Sequence, residues 1–497
     1  MDAEKVATTV GKGTGYLFIG LASSYVLSFI FNIFVARTSG AEALGMISLM
    51  MTMMSFFSIV FFLGLNSSMV KFISELLAKG KDISVVYSTG MKTMFLSSFV
   101  GAIALFLLSD FLAVLVFGSS NLIIVFQLAS AALFLRSVEF FFRGCSIGFQ
   151  WMGNTAATTI SERVSKLFFA VAFFYAGYGV FGPVFAAILS FLVTAFVSSV
   201  LFLRKIRPKI KGFDKTVARG LIGYGAPMMI SSGANTVFNR IGSFLIGAFL
   251  TVELVGYYAA AVTLNMFLEN IVLSLTTTLF PAFSSINAQK KVSLLKGLLN
   301  RSVKYAVYLM LPACAGLFML AEPVIRLMYG ADFFPAVLPL RILTIGSFLF
   351  ATSAVCKSFI IGTSRPENYT KIVLVSGLIN IVTGAVLIPL YGLVGGAMST
   401  TISLFALFTL CFRFILKRTE LRLGYLHKPV ISTCAMLAVL YIIKIYLIAS
   451  TWSRVVAIVV LGALSYFMVL YAFGGFDSTD RRIIFSFISK IKKRLRL

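Results

Sequence analysis

The stretch GPVFAAILSFLVTAFVSSVLFL, residues Gly182–Leu203, decides the fold class. It carries no charged side chain, and Arg204, Lys205, Arg207, Lys209, Lys211, Lys215 and Arg219 follow it closely. At about 1.5 Å per residue such a run spans the roughly 30 Å hydrocarbon core of a bilayer. Lipid offers no partner to a backbone amide, so only helices and closed barrels cross it. Barrel strands are short and alternate apolar with polar residues; this run does not alternate. Upstream, Gly177, Gly179, Gly182 and Pro183 break the chain in a short turn, which separates the run from another apolar segment before it.

The pattern recurs from end to end. Fourteen spans are predicted, over 14–37, 44–66, 85–107, 122–149, 156–178, 181–203, 221–248, 255–284, 303–325, 336–362, 370–390, 393–416, 429–449 and 454–474. The reading is therefore an all-α polytopic membrane protein. Composition agrees: of 497 residues, 59% are hydrophobic and 12% charged, about half the charge of a soluble domain. The run Thr14–Val35 is too long for a signal sequence and has no small-residue cleavage site after it, so it reads as a retained first span. Cys145, Cys314, Cys356, Cys411 and Cys434 all fall in apolar runs without metal-ligand spacing and read as small core residues.

The net charge of +26 raises the question of nucleic acid. The positions of the charges answer it. Lys71, Lys79 and Lys81 follow span 2; Lys290, Lys291, Lys296 and Arg301 follow span 8; Lys417, Arg418, Arg422 and Lys428 follow span 12; Arg481, Arg482, Lys490, Lys492, Lys493, Arg494 and Arg496 close the chain. The intervening loops Ser109–Asn121 and Thr251–Tyr257 hold no Lys or Arg. The positive-inside rule then puts both termini in the cytoplasm, in a cell membrane, and leaves no continuous basic groove for nucleic acid. Two basic segments are amphipathic. Met69, Phe72, Ile73, Leu76 and Leu77 form one stripe and Ile484, Phe487, Ile488, Ile491 and Leu495 another, which predicts helices lying on the membrane surface against anionic lipid.

A duplication runs through the chain. Glu42-Ala-Leu-Gly45 matches Glu253-Leu-Val-Gly256 at an offset of 211; Phe117-Gly118 matches Tyr329-Gly330 at 212; Ile147-Gly148 matches Ile361-Gly362 at 214; Tyr178-Gly179 and Gly182 match Tyr391-Gly392 and Gly395 at 213. Six spans separate equivalent positions, so the halves share one orientation, as in transporters with parallel repeats. The expected organisation is a first lobe over 1–203, a basic cytoplasmic linker over 204–220, a second lobe over 221–416, two appended spans over 417–474 and a basic amphipathic tail over 475–497. The two parallel six-helix lobes would enclose a shared cavity.

Ionisable groups inside spans are costly and face protein or water. Arg136, Glu139 and Arg143 share one face of span 4, at spacings of 3 and 4. An internal ion pair with Glu139 would still leave one arginine over. The 214 offset carries Arg143 to Lys357, and Arg240 lies in span 7 beside Asn235 and Asn239. Arg136, Arg143, Arg240 and Lys357 are thus the candidate cationic lining of the cavity. Asn32, Asn235, Asn239 and Asn265 are its candidate polar groups, with helix–helix hydrogen bonding as their plainer role. Glu139 and Glu269 are candidates for ion coupling or salt bridges. Lys92, Glu162, Arg163, Lys166 and Lys371 read as snorkelling residues near cytoplasmic ends, with Glu162 and Lys166 an i,i+4 pair. One histidine, His427, supports no metal cluster, and Gly11-Lys-Gly13 lacks the spacing of a phosphate loop. No catalytic set and no cofactor site is expected.

With Phe34-Val-Ala-Arg37 and Ala41-Glu-Ala-Leu-Gly45 near the start, Tyr178-Gly-Val-Phe-Gly182, Glu253-Leu-Val-Gly-Tyr-Tyr258, Tyr329-Gly-Ala-Asp-Phe333 and Tyr391-Gly-Leu-Val-Gly-Gly396, the chain resembles the Wzx-type polysaccharide flippases of the multidrug/oligosaccharidyl-lipid/polysaccharide superfamily. That resemblance implies two six-helix lobes, two extra helices and alternating access. It implies a cargo of lipid-linked oligosaccharide on a polyprenyl phosphate or pyrophosphate, and, as partners, membrane lipids and glycan-assembly enzymes. Lipid II flippases and multidrug (MATE) exporters are the alternatives. The former carry functional arginines in spans 1, 2 and 8, where span 2 here has none and span 8 has Glu269. The latter typically carry a carboxylate in span 1, and spans 1–3 here hold none.

Overall fold

A computed structural model describes residues 3–364, 366–419, 424–446, 451–477 and 480. The described residues form no strand. Their helices are α1 (Ala3–Phe61), α2 (Leu65–Ala78), α3 (Ser84–Leu107), α4 (Asn121–Gly148), α5 (Met152–Tyr175), α6 (Gly182–Leu203) and α7 (Lys215–Phe249), then α8 (Val252–Ala288), α9 (Val292–Met319), α10 (Ala321–Tyr329), α11 (Val337–Thr363), α12 (Pro366–Leu416), α13 (His427–Tyr446) and α14 (Trp452–Ala472). Nine of them are long and apolar enough to cross a membrane. α5 and α7 fall outside that set because their interiors are richer in polar and charged side chains. The basic tail 481–497 and the predicted end of span 13 at 447–449 lie outside the described residues.

α1 and α12 each hold two of the predicted spans, which meet at a single bent glycine rather than a loop. Gly40 has φ 78° and Gly392 φ 58°. Both values belong to the left-handed region, which a residue without Cβ enters at little cost. The predicted turn between spans 5 and 6 forms as read: a short 3₁₀ turn at Gly179–Phe181 leads into α6, with Pro183 in its first turn. At the start of α7, Asp214 caps the helix, its Oδ1 accepting from the amides of Thr216 at 2.8 Å and Val217 at 3.1 Å.

The described residues pack as two units. One comprises the chain through Thr263 together with Val373–Thr400, and the other comprises Leu264–Ile372 and the residues from Thr401 onward. In the first unit, α1 and α8 cross where two repeat-related glycines lie. A Cβ on Gly45 would strike the carbonyl of Val252, and a Cβ on Gly256 would strike the carbonyl of Ala41. The contact is reciprocal, since Ala41 and Val252 are repeat mates at the same offset as the glycines. A contact in which i meets j and j's mate meets i's mate is what a local two-fold axis produces. A second pair of equivalent contacts lies one in each unit: Gly148 closes on Ile73 in the first, and Gly362 closes on Phe283 in the second.

α2 departs from the sequence expectation. Part of its apolar stripe packs on protein, with Met69 and Ile73 buried while Leu77 stays exposed. Ser68 donates to the Leu221 carbonyl at 2.7 Å and Ser74 to the Gly148 carbonyl at 3.0 Å, so the helix is fixed to α7 and α4. In the second unit, α13 and α14 pack on α9 through Tyr308, Met436, Leu440, Ile458, Tyr466 and Leu470. The Tyr466 hydroxyl donates to the Tyr308 carbonyl at 2.9 Å. Four of the cysteines are buried as expected, but Cys434 on α13 is exposed and is not a core residue.

Candidate functional site

Charge concentrates in the first unit, where α4, α5 and α7 place seven ionisable side chains in one electrostatic neighbourhood. α4 contributes Arg136, Glu139 and Arg143 from one face, as their spacing requires. Arg143 Nε lies 3.4 Å from Glu139 Oε1, so the predicted pair forms within the helix. Arg136 is then the arginine left over. Among the described residues no carboxylate lies within ion-pair distance of it. Its guanidinium rests between two aromatic faces, 5.4 Å from the Phe140 ring and 5.6 Å from Phe191 of α6.

α5 supplies the part that the sequence reading placed wrongly. Glu162 pairs with its neighbour Arg163 at 3.2 Å and not with Lys166. Lys166 does not snorkel. It is buried at 6% exposure, with its Nζ 4.3 Å above the Phe31 ring of α1. Arg136, Arg163 and Arg240 all act electrostatically on Lys166, and Arg136 and Arg163 act on Arg240. Five cations, Arg136, Arg143, Arg163, Lys166 and Arg240, therefore face two carboxylates, Glu139 and Glu162, a net excess of three positive charges. Such an excess inside apolar helices favours a bound anion. Arginines held by aromatic stacking keep their forked donors free for phosphate or carboxylate oxygens.

The candidate asparagines are less directed. Asn235 donates to the Ser231 carbonyl at 2.9 Å and Asn239 to the Asn235 carbonyl at 2.8 Å, both within α7. Asn32 reaches Thr263 Oγ1 at 3.4 Å, a helix–helix bond. A cavity of about 630 Å³ opens around the Gly40 bend, lined by repeat mates such as Glu42 and Glu253. It is acidic where the α4–α5–α7 group is basic.

The remaining candidates belong to the second unit. Lys357 sits with its Nζ 5.3 Å from the Tyr369 ring. Glu269 and Asn265 form a polar group with Ser347 of α11. Among the described residues no group of three His, Cys, Asp or Glu side chains could hold a metal. Lys304 is a further charged centre that the sequence did not single out. Its Nζ contacts Asp480 at 2.7 Å and Asp477 at 2.9 Å, and Tyr305 donates to the other oxygen of Asp480 at 2.5 Å.

Known proteins share this architecture. A family model described as polysaccharide biosynthesis protein matches residues 10–287, more than half of the chain, and one described as lipid II flippase matches 160–469. A probable low-salt glycan biosynthesis flippase of Haloferax volcanii is 23% identical, covering 78% of this chain and 79% of its own. The lipid II flippase of Bacillus subtilis is 21% identical over 86% of each chain. A solved lipid II flippase in an inward closed conformation superposes with a TM-score of 0.75 at 15% identity, covering 92% of this chain and 98% of that one. An inward-facing multidrug resistance MATE family transporter of the MOP superfamily superposes at 0.67 with 14% identity, covering 80% and 96%. The chain is a multi-pass membrane protein that belongs to the polysaccharide biosynthesis protein family and has the fold of solved flippase and exporter structures.

Proposed function

We propose that this protein flips an oligosaccharide linked to a polyprenyl phosphate or pyrophosphate from the inner to the outer leaflet of the cell membrane, by alternating access, for glycan biosynthesis. The observation that carries the reading is the cation excess among α4, α5 and α7. A phosphate group crossing hydrocarbon alone meets a large desolvation cost. Arg136, Lys166 and Arg240, which have no carboxylate at ion-pair distance among the described residues, offset that cost while Glu139 and Glu162 hold Arg143 and Arg163 in place. Lys357, in the second unit, is a separate candidate anion contact, and Asn32, Asn235 and Asn239 supply neutral polar surface. The excess leaves the attraction finite, so that cargo is released as well as captured. The glycan-assembly enzymes that make and use the cargo are its working partners, and the protein itself performs no covalent chemistry.

A cationic drug is a poor fit to this charge. Lipid II, which the name of a relative states as its cargo, carries the same class of anionic group, so the sugar and not the charge separates the two flippase readings. In this reading both termini face the cytoplasm, because the basic loops alternate with loops that lack Lys and Arg. Cysteine labelling of whole cells tests that: Ser120→Cys reacts with an impermeant reagent from outside, and Lys209→Cys reacts after permeabilisation. The functional test is a flipping assay in sealed vesicles with a polyprenyl-diphosphate oligosaccharide and, in parallel, lipid II. The Arg136→Gln/Lys166→Gln double variant should lose at least tenfold in rate. A double variant that flips at the parent rate overturns the cationic path.

A further inference from the structure

The second unit holds a carboxylate that the anion path leaves unexplained. Glu269 lies in the middle of α8, where α9 and α11 pack around it through Leu268, Met310, Cys314 and Ala351. Among the described residues no Lys or Arg stands within ion-pair distance of it. The groups that face it are Asn265 on its own helix, Ser347 on α11 and, from α9, the Cys314 thiol. A buried carboxylate without a cation is expensive to retain, and in a membrane helix it marks function by default.

The hydrogen-bond geometry says which ligand it takes. Asn265 Nδ2 donates to Glu269 Oε1 at 3.0 Å. The Ser347 hydroxyl lies 2.6 Å from Asn265 Oδ1 and 3.1 Å from Glu269 Oε1. Ser347 has one hydrogen and the shorter contact claims it. The remaining 3.1 Å contact is an unfilled bond if Glu269 is ionised. If Glu269 carries a proton, its O–H donates to Ser347, Ser347 donates to Asn265, and Asn265 donates back to Glu269. Each donor is used once and the ring closes. A sodium ion would also suit a carboxylate, an amide oxygen and a hydroxyl. But the 2.6 Å Ser347–Asn265 contact is a direct hydrogen bond and leaves no room for an ion between them.

We infer that Glu269, Asn265 and Ser347 form a proton-binding site. Loading adds one proton to the carboxylate and closes the α8–α11 ring, and unloading removes that proton and opens one of its three bonds. Joined to the flippase reading above, this makes the proton the coupling ion, taken up in one conformation and released in another. The site itself does not depend on that reading, and neither does its test.

The test is infrared difference spectroscopy, between acidic and alkaline pH, on the full chain in lipid nanodiscs. The parent should show a protonated-carboxyl band that disappears in Glu269→Gln. Ser347→Ala and Asn265→Ala keep the carboxyl but each removes two of the ring's three bonds, one of them to Glu269, so the band should persist at a shifted frequency. These two keep the test decisive if the glutamine variant folds poorly. An unchanged band in all three variants overturns the proposal, as does a parent band that sodium removes at constant pH. A protein that flips no oligosaccharide still reports the band, so failure of the transport reading is read separately in vesicles.

Discussion

The α4–α5–α7 group of the first unit and the Glu269 group of the second make the informative comparison, because the repeat offsets carry nearly all of their members onto positions that lack their chemistry. At the offset of 214, Arg136 falls on Phe350, Glu139 on Ser353 and Arg143 on Lys357. At 213, Glu162, Arg163 and Lys166 fall on Val375, Ser376 and Ile379. At 211, Glu269 falls back on Ser58 and Asn265 on Met54. The close glycine contacts survive in both halves, whereas of these charges only Arg143 keeps a charged mate, Lys357. Shared backbone contacts therefore read as architecture, and the charges that break the symmetry read as function.

The largest expected effect strikes the shared architecture. Gly256→Val places a branched side chain against the backbone of Ala41. Neither helix axis can yield without losing its neighbours, so the cost is at least about 1–3 kcal/mol. The variant should lose its monodisperse peak in size-exclusion chromatography. Its mate Gly45→Ala should lose stability in the same direction. Gly377→Ala, where a Cβ has open space around it, should be neutral or gain up to about 1 kcal/mol from helix propensity. Equal tolerance at Gly256 and Gly377 would remove the crossing as a structural element.

The next effect should fall on transport and spare the fold. The Arg136→Gln/Lys166→Gln pair removes two of the five cations, and a tenfold loss of rate corresponds to about 1.4 kcal/mol of lost stabilisation. Thermal stability should stay near the parent, since neither side chain makes an ion pair among the described residues. A large drop in melting temperature, with the rate per folded molecule unchanged, would turn these residues from cargo contacts into helix glue.

How far the sequence alone reached follows the same division. Apolar run length marked the membrane-spanning segments and glycine and proline marked the turn between spans 5 and 6, because both signals are local, whereas the bends at Gly40 and Gly392 came only from the structure. The rotation of a charged helix about its own axis is not local. Glu162, Arg163 and Lys166 read equally well as a snorkelling edge or as a buried cluster. Only the packing of α5 on α1, which puts Lys166 over Phe31, separates the two. The docking of α2 was hidden for the same reason: an amphipathic stripe states that it must be covered, not whether protein or lipid covers it. The exposed Cys434 is the converse case, since an apolar run in a membrane protein has a lipid face as well as a core face.

A middle-sized effect should appear at Asp480, in the second unit. Burial works to raise its pKa, but hydrogen bonds from Lys304 and Tyr305 prevail and hold the carboxyl below its ordinary value. A depressed folded-state pKa adds stability that is present above the unfolded value of about 3.9 and is lost as pH falls through the folded one. Acidification below about pH 4 should therefore weaken the anchoring of the segment after α14 to α9, seen as faster limited proteolysis there. Asp480→Asn should cost about 1–2 kcal/mol at neutral pH and should abolish the acid dependence. An acid response that survives in Asp480→Asn would belong to another group.

The smallest effect belongs to Lys71 and sharpens the contrast between a charge that holds structure and one that meets cargo. Its Nζ lies 4.1 Å from the Tyr224 ring of α7 and 3.8 Å from Glu75 on the same helix. Both side chains of that ion pair are 40% or more exposed, so the pair is screened and contributes little. The cation–π contact adds about 0.5–1 kcal/mol at an exposed site. α2 keeps its buried Met69 and Ile73 and the Ser68 and Ser74 bonds whatever stands at position 71. Lys71→Ala should thus lower the melting temperature by a degree or so and leave the flipping rate within twofold of the parent. Lys71→Arg, which keeps the charge over the ring, should restore the difference. A tenfold loss of flipping in Lys71→Ala, with stability unchanged, would extend the cationic path beyond α4, α5 and α7 to α2 and end the distinction drawn between the two kinds of lysine.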